Sequence, residues 1–113
     1  VEGQVRTLLT PWFREFLTID PRPVLEQVRC PILAINGTKD LQVASDENLQ
    51  AIEQASTKGG NKDVTIIAFP GLNHLFQTCD TGAVAEYGSI EETINPKVLS
   101  TISDWVVKQT QAE

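Results

Sequence analysis

From Pro31 to Asn36 the chain reads Pro-Ile-Leu-Ala-Ile-Asn, and this run restricts the possible architectures more than any other stretch. A strand with one face in water alternates apolar and polar residues. Here four consecutive apolar residues leave no polar face, so both faces are expected to be covered. A parallel sheet with helices on either side meets that requirement. Gly37 breaks the run. A second run, Val64-Thr65-Ile66-Ile67-Ala68-Phe69, is rich in β-branched residues and is closed by Pro70-Gly71. Between the two, Ser45 is expected to cap a helix, with Asp46 and Glu47 near its positive end. Leu49, Ile52 and Ala55 give that helix an apolar stripe, Lys58 falls in its last turn and Gly59-Gly60 stops it. The reading is an α/β fold built on a parallel strand–helix–strand unit, a crossover that is right-handed in nearly all proteins.

Helices are expected on both flanks. Val5, Leu8, Leu9, Trp12, Phe13, Phe16 and Leu17 recur at helical spacing, interrupted by Pro11. Thr10 as a cap with Pro11 in the first helical position would restart the helix there. Asp20-Pro21 repeats that signal and opens a short helix carrying Leu25 and Val28, ended by Cys30-Pro31. Residues 75–95 read as a long loop with one helical turn near Ile90. Asn95-Pro96 then starts a C-terminal helix ending near Thr110, with Val98, Leu99, Ile102, Trp105 and Val106 on one face.

Two parallel strands make a poor independent sheet, since three or more are normally required. One edge of this sheet is therefore expected to receive further strands, from a missing N-terminal portion or from a second copy of the chain. The sequence opens Val-Glu-Gly-Gln and contains no Met, and we expect Val1 to be internal to a longer protein. With 9 basic against 15 acidic side chains the net charge is −6, so neither nucleic acid nor an anionic membrane is an expected partner. No apolar run approaches the ~20 residues that span a bilayer.

The chemistry lies where the two strands end. Asp40 follows the first in Gly37-Thr38-Lys39-Asp40, and His74, the single histidine, follows the second in Gly71-Leu72-Asn73-His74. Sites in open parallel sheets form at the carboxyl ends of the strands. Neighbouring strands lie ~4.8 Å apart, so loops leaving the same edge can bring an aspartate and a histidine together. A carboxylate on one ring nitrogen fixes the tautomer and leaves the other nitrogen as a general base. Each residue alone reads as a turn former or a surface group. The pair at equivalent strand ends is the stronger signal.

The stretch from Asp20 to Trp105 resembles the C-terminal third of an α/β-hydrolase. The resemblance rests on Asp20-Pro21, on Val28 to Gly37 leading to Asp40, and on Phe69-Pro70-Gly71-Leu72-Asn73-His74. Within that family it is closest to bacterial esterase-like or acyl-peptidase-like serine hydrolases. The family orders its triad as nucleophile, acid, histidine. The resemblance implies that Asp40 is the acid and His74 the base, that residues 1–19 are a helical lid or cap remnant, and that residues 20–113 are the C-terminal part of the hydrolase domain. The implied partner is a small-molecule acyl substrate, cleaved at an ester, thioester or amide bond. No cofactor is implied.

The departure is the nucleophile. No Gly-x-Ser-x-Gly is present, and Ser45, Ser56, Ser89, Ser100 and Ser103 all lack that context. The backbone donors of the family's oxyanion hole also come from earlier in the chain. The 113-residue chain alone is therefore expected to be inactive, with the missing nucleophile Ser, Cys or Asp. The alternative is a noncatalytic binding or structural module of the same fold. Cys79 is a minor candidate nucleophile. Cys30 and Cys79 are expected at opposite edges of the sheet, ~20 Å apart and too far for a disulfide. Asp40, His74, Asp80 and Glu86 lack compact ligand spacing, so no metal is expected. Asn36-Gly37-Thr38 matches a glycosylation sequon but falls at a buried strand end.

Overall fold

Strand β1 (Ile32–Gly37) pairs with strand β2 (Val64–Phe69) in parallel, Ile32 opposite Val64 and Gly37 opposite Phe69. The computed structural model describes residues 1–111. Preceding the strands are α1 (Glu2–Leu8), α2 (Pro11–Thr18) and α3 (Arg22–Leu25); α4 (Ser45–Lys58) joins them, and α5 (Pro96–Thr110) follows. The strand–helix–strand unit expected from the two apolar runs is present, in a two-stranded sheet among the described residues.

Side-chain alternation assigns the two faces. Asn36 points to α4, where the Asn48 side chain donates to it, and the buried Leu49 and Ala55 belong to the same helix. On the opposite face Thr65 accepts a 3.3 Å hydrogen bond from Trp105 Nε1 of α5. Phe69, Leu72 and Val98 form the core there, with Ile35, Ile67, Phe76, Ile94 and Ile102 packed around them. The sheet thus lies between α4 and α5, as a strand without a polar face requires.

Three local expectations are corrected. Ser45 does not cap α4: Ala44 holds the cap position without a side-chain bond, and Ser45 is the first helical residue with its hydroxyl buried and unpartnered. The physical reason is the tight turn after Asp40, whose carboxylate accepts from Gln42 and Val43 N–H and delivers the chain into the helix one residue early. Likewise Pro21, not Asp20, occupies the cap position of α3. Asp20 instead accepts from Arg22 N–H at 3.0 Å and pairs with the Arg22 guanidinium. Helix α3 also stops before Val28, because Gln27 and Val28 N–H reach back only three residues and tighten the chain. Leu99 and Val106 lie on the apolar stripe of α5, as the periodicity predicts, and both are exposed. That stripe is wider than two strands can cover.

The N-terminal break falls at Pro11, as the sequence suggests, with Thr10 Oγ1 accepting from Phe13 N–H. Helices α1 and α2 touch chiefly each other and bury no residue. Trp12 stacks on Phe16 at 5.7 Å, and both rings remain mostly exposed. In the long loop the helical turn is 3-10, spans Val84–Ser89 and ends just before Ile90. Two carboxylates organise this loop. Glu92 accepts from the Thr78 backbone and hydroxyl, and Glu86 accepts from Asp80 and Thr81 N–H. Among the described residues no helix is long and apolar enough to cross a membrane.

Candidate active site

The loops leaving β1 and β2 are bonded to each other before either presents a functional side chain. Thr38 N–H donates to the Phe69 carbonyl and Lys39 N–H to the Leu72 carbonyl, both at 2.9 Å. Gly71 N–H returns a bond to Thr38 Oγ1 at 2.9 Å. Gly71 takes a φ of 74°, a left-handed conformation that glycine adopts without strain, so the chain can turn off β2 at Pro70-Gly71. The Asp40-bearing turn and the His74-bearing turn are therefore one unit, pinned by backbone bonds.

Within that unit Asp40 and His74 meet. His74 Nδ1 lies 2.8 Å from Asp40 Oδ2. The Asp40 side chain is 4% exposed and the His74 side chain 36% exposed, so the acid is sealed and the ring is reachable. Asp40 Oδ1 accepts from Gln42 and Val43 N–H, each at 2.9 Å. Burial is the largest single influence on the Asp40 carboxyl and opposes its ionisation. The Val43 N–H, the His74 ring and the Gln42 N–H together outweigh it and hold the group below its ordinary range. The acid is thus a carboxylate at neutral pH. Its bond to Nδ1 fixes the proton there and turns the Nε2 lone pair outward. Among the described residues nothing bonds Nε2.

His74 is carried by a loop that Asn73 holds together. Asn73 is fully buried; its Oδ1 accepts from Leu75 and Gln77 N–H, and its Nδ2 donates to Gln77 Oε1 at 3.0 Å. Phe76 in this loop has a φ of 58°, which costs energy for a residue with a Cβ. Its ring sets edge-on to Phe69 and its carbonyl accepts from Asn95 N–H, so the surrounding contacts enforce the conformation. A cavity of about 190 Å³ opens beside the dyad. Ile35, Val43 and Phe76 supply its apolar wall, and Asn36 and Asn48 its polar one.

Asn36 joins the site although no spacing in the sequence marks it for a role. It is 4% exposed, donates from Nδ2 to Asp40 Oδ2 at 3.0 Å, and accepts at Oδ1 from Asn48 Nδ2 at 2.7 Å. The available signal was a polar residue closing an otherwise apolar strand. Its side chain is fully occupied, so the sequon reading has no exposed acceptor amide.

Among the described residues no serine or cysteine lines the cavity at the dyad. Ser45 and Ser56 are buried, and the Ser89 and Ser100 hydroxyls donate to the carbonyls of Glu86 and Lys97. Cys79 points at the Gly71 carbonyl at 3.5 Å. Burial, and after it the nearby Glu86 carboxylate, push its thiol pKa up. A thiol so placed is a poor nucleophile. Glu86 is occupied by Asp80 and Thr81, and the Asp80 carbonyl accepts from Lys39 Nζ. Among the described residues no three His, Cys, Asp or Glu side chains gather into a metal-binding group. No family model, curated protein or solved structure matches this chain.

Proposed function

We propose that this chain supplies the acid and the base of a serine-type acyl hydrolase of the α/β-hydrolase fold. The observation that carries the reading is the 2.8 Å contact between a sealed Asp40 and a reachable His74 at the carboxyl edge of a parallel strand pair. In the proposed reaction His74 Nε2 removes the proton of the attacking hydroxyl as its oxygen bonds to the substrate carbonyl. The same proton passes to the departing alcohol, thiol or amine as the acyl bond breaks. Water then repeats the sequence and releases the acid. Asp40 keeps the ring in register and stabilises the imidazolium.

The nucleophile and its oxyanion donors come from outside these 113 residues, as do the strands that flank β1. Residues upstream are the source of the nucleophile, whereas the flanking strands come from residues upstream or from a second copy. Support comes from β1 itself, where Ile32, Leu33 and Ile35 are only half-buried in a strand with no polar face. The uncovered Leu99 and Val106 of α5 support the same extension. Residues 1–19 act as the lid remnant, for which the exposed apolar side chains Trp12, Phe16 and Leu17 are suited.

The test is ester hydrolysis by the purified chain and by the longest gene product that contains it. The chain alone is expected to turn over nothing. The longer product is expected to hydrolyse a p-nitrophenyl acyl ester and to lose about 10²–10⁴ of that rate in His74→Ala. A longer product whose hydrolysis survives His74→Ala, or that hydrolyses no acyl ester or amide, would assign the chain to a binding or structural module instead.

A further inference from the structure

Four side chains form one line of hydrogen bonds that crosses from α4 through the end of β1 to the ring of His74. Asn48 Nδ2 donates to Asn36 Oδ1 at 2.7 Å, Asn36 Nδ2 donates to Asp40 Oδ2 at 3.0 Å, and the same Oδ2 faces His74 Nδ1 at 2.8 Å. Asn36 and Asp40 are both buried, whereas Asn48 is half-buried. Two donors thus share one carboxylate oxygen while the other oxygen is held by backbone N–H groups.

We infer that Asn36 and Asn48 are positioning residues that set the proton affinity of His74. The inference rests on the reading of Asp40 and His74 as acid and base. Asn36 places the positive end of an amide dipole against the oxygen that faces the ring. That dipole draws charge from Oδ2 and disfavours the imidazolium. Asn48 acts one step further away. An amide can bind in either of two flipped orientations, and the one observed is fixed by its network. With the Asn48 N–H on Oδ1, the Asn36 amide must turn Nδ2 towards Asp40. An Asn36 flipped the other way would set two acceptors against each other.

The carboxylate does not depend on Asn36 for its place. Oδ1 stays anchored by Gln42 and Val43 N–H, so loss of the Asn36 donor leaves Asp40 seated and gives Oδ2 to His74 alone. The charged groups around this line are few. Asp46 and Glu47, in the first turn of α4, line the neighbouring cavity with Asp40, and Lys39 is turned to the carbonyls of Cys79 and Asp80. None of them changes in the variants below.

The single histidine makes the experiment direct. The tautomer and titration midpoint of His74 would be read by long-range nitrogen–proton NMR in the chain and in Asn36→Leu, Asn48→Ala and the double variant. Amide spectra of the same samples report whether each is folded. In Asn36→Leu the Nδ1 proton is expected to persist and the midpoint to rise. Asn48→Ala is expected to raise it by less, and to have no effect once Asn36 is leucine, because it acts only through that amide. Should Asn36→Leu disturb the fold, the half-buried Asn48→Ala carries the test. An unchanged midpoint in the folded variants, or an Asn48 effect of equal size with and without Asn36, overturns the inference. A separate arm examines the dyad. If Asp40→Asn leaves both the tautomer and the midpoint of His74 untouched, the acid–base reading itself fails, whatever the asparagines do.

Discussion

Gly37, the last residue of β1, lies directly against Leu72 in the turn that leads to His74. A Cβ built on Gly37 would run into the Leu72 carbonyl oxygen and lie 2.6 Å from that of Asn73. Backbone, not a pliable side chain, blocks the space. This approach brings the two loops close enough for Lys39 N–H to reach Leu72 and for Asp40 to reach His74.

Gly37→Ala should therefore push the two turns apart. Overpacking of this kind costs about 1–3 kcal/mol. Urea unfolding is expected to show a lower midpoint, with the Nδ1 proton signal of His74 weakened in the folded variant. Wild-type stability with an intact His74 signal would mean that the loops have slack where none is seen.

Acid should loosen the fold through Asp40. Its pKa in the folded chain is lowered, so between that value and the unfolded one, about 3.9, the unfolded chain binds more protons. The contribution is complete above the unfolded value and is lost as pH falls through the folded one. Unfolding measured from pH 6 down to pH 2 is expected to show this loss, with a shallower acid slope in Asp40→Asn. Identical slopes would deny Asp40 a lowered pKa.

The two thiols should differ in reactivity. Cys30 is exposed, whereas Cys79 is half-buried with a pKa raised first by burial and then by Glu86. Alkylation at pH 8 followed by mass spectrometry is expected to label Cys30 well before Cys79, with no change in mass on prior reduction. Faster labelling at Cys79 would contradict its placement against Gly71.

Asn61 should be worth more than an ordinary loop residue. It is buried; its Nδ2 donates to the Cys30 carbonyl at 2.8 Å and its Oδ1 accepts from Asp63 N–H at 3.0 Å. It thereby ties together the residues that enter both strands. Asn61→Ala leaves those groups without a partner, at a cost of about 1–3 kcal/mol. Thermal unfolding is the measurement, and an unchanged Tm would show that water replaces the amide without loss.

What could be read from the residues, and what could not, follows from the range of each interaction. The strands and the encounter of Asp40 with His74 depend on local facts: two apolar runs, and an acid and a base each three residues past a glycine, Gly37 and Gly71. Parallel pairing does the rest. The Asn36–Asn48 pair depends on where α4 crosses β1, which no spacing in the sequence states. The cap at Ala44 rather than Ser45 is decided by the turn that the Asp40 carboxylate closes, a tertiary arrangement of the site itself. For Leu99 and Val106 the periodicity correctly puts both on the apolar stripe. Periodicity tells which residues share a face and is silent on whether anything lies over it.

The parallel register has a consequence for how such a sequence can change. Asp40 and His74 are separated along the chain by the whole crossover, yet their spacing in space is set by the pairing of Gly37 with Phe69 and the bonds just beyond it. The return from α4 to β2, through Gly59, Gly60 and Lys62, lies at the opposite end of the strands. Residues inserted there that keep the Asn61 bonds to Cys30 and Asp63 lengthen the path between acid and base while leaving the 2.8 Å between them alone. Such a protein can drift in length at one end of its sheet and keep its chemistry fixed at the other.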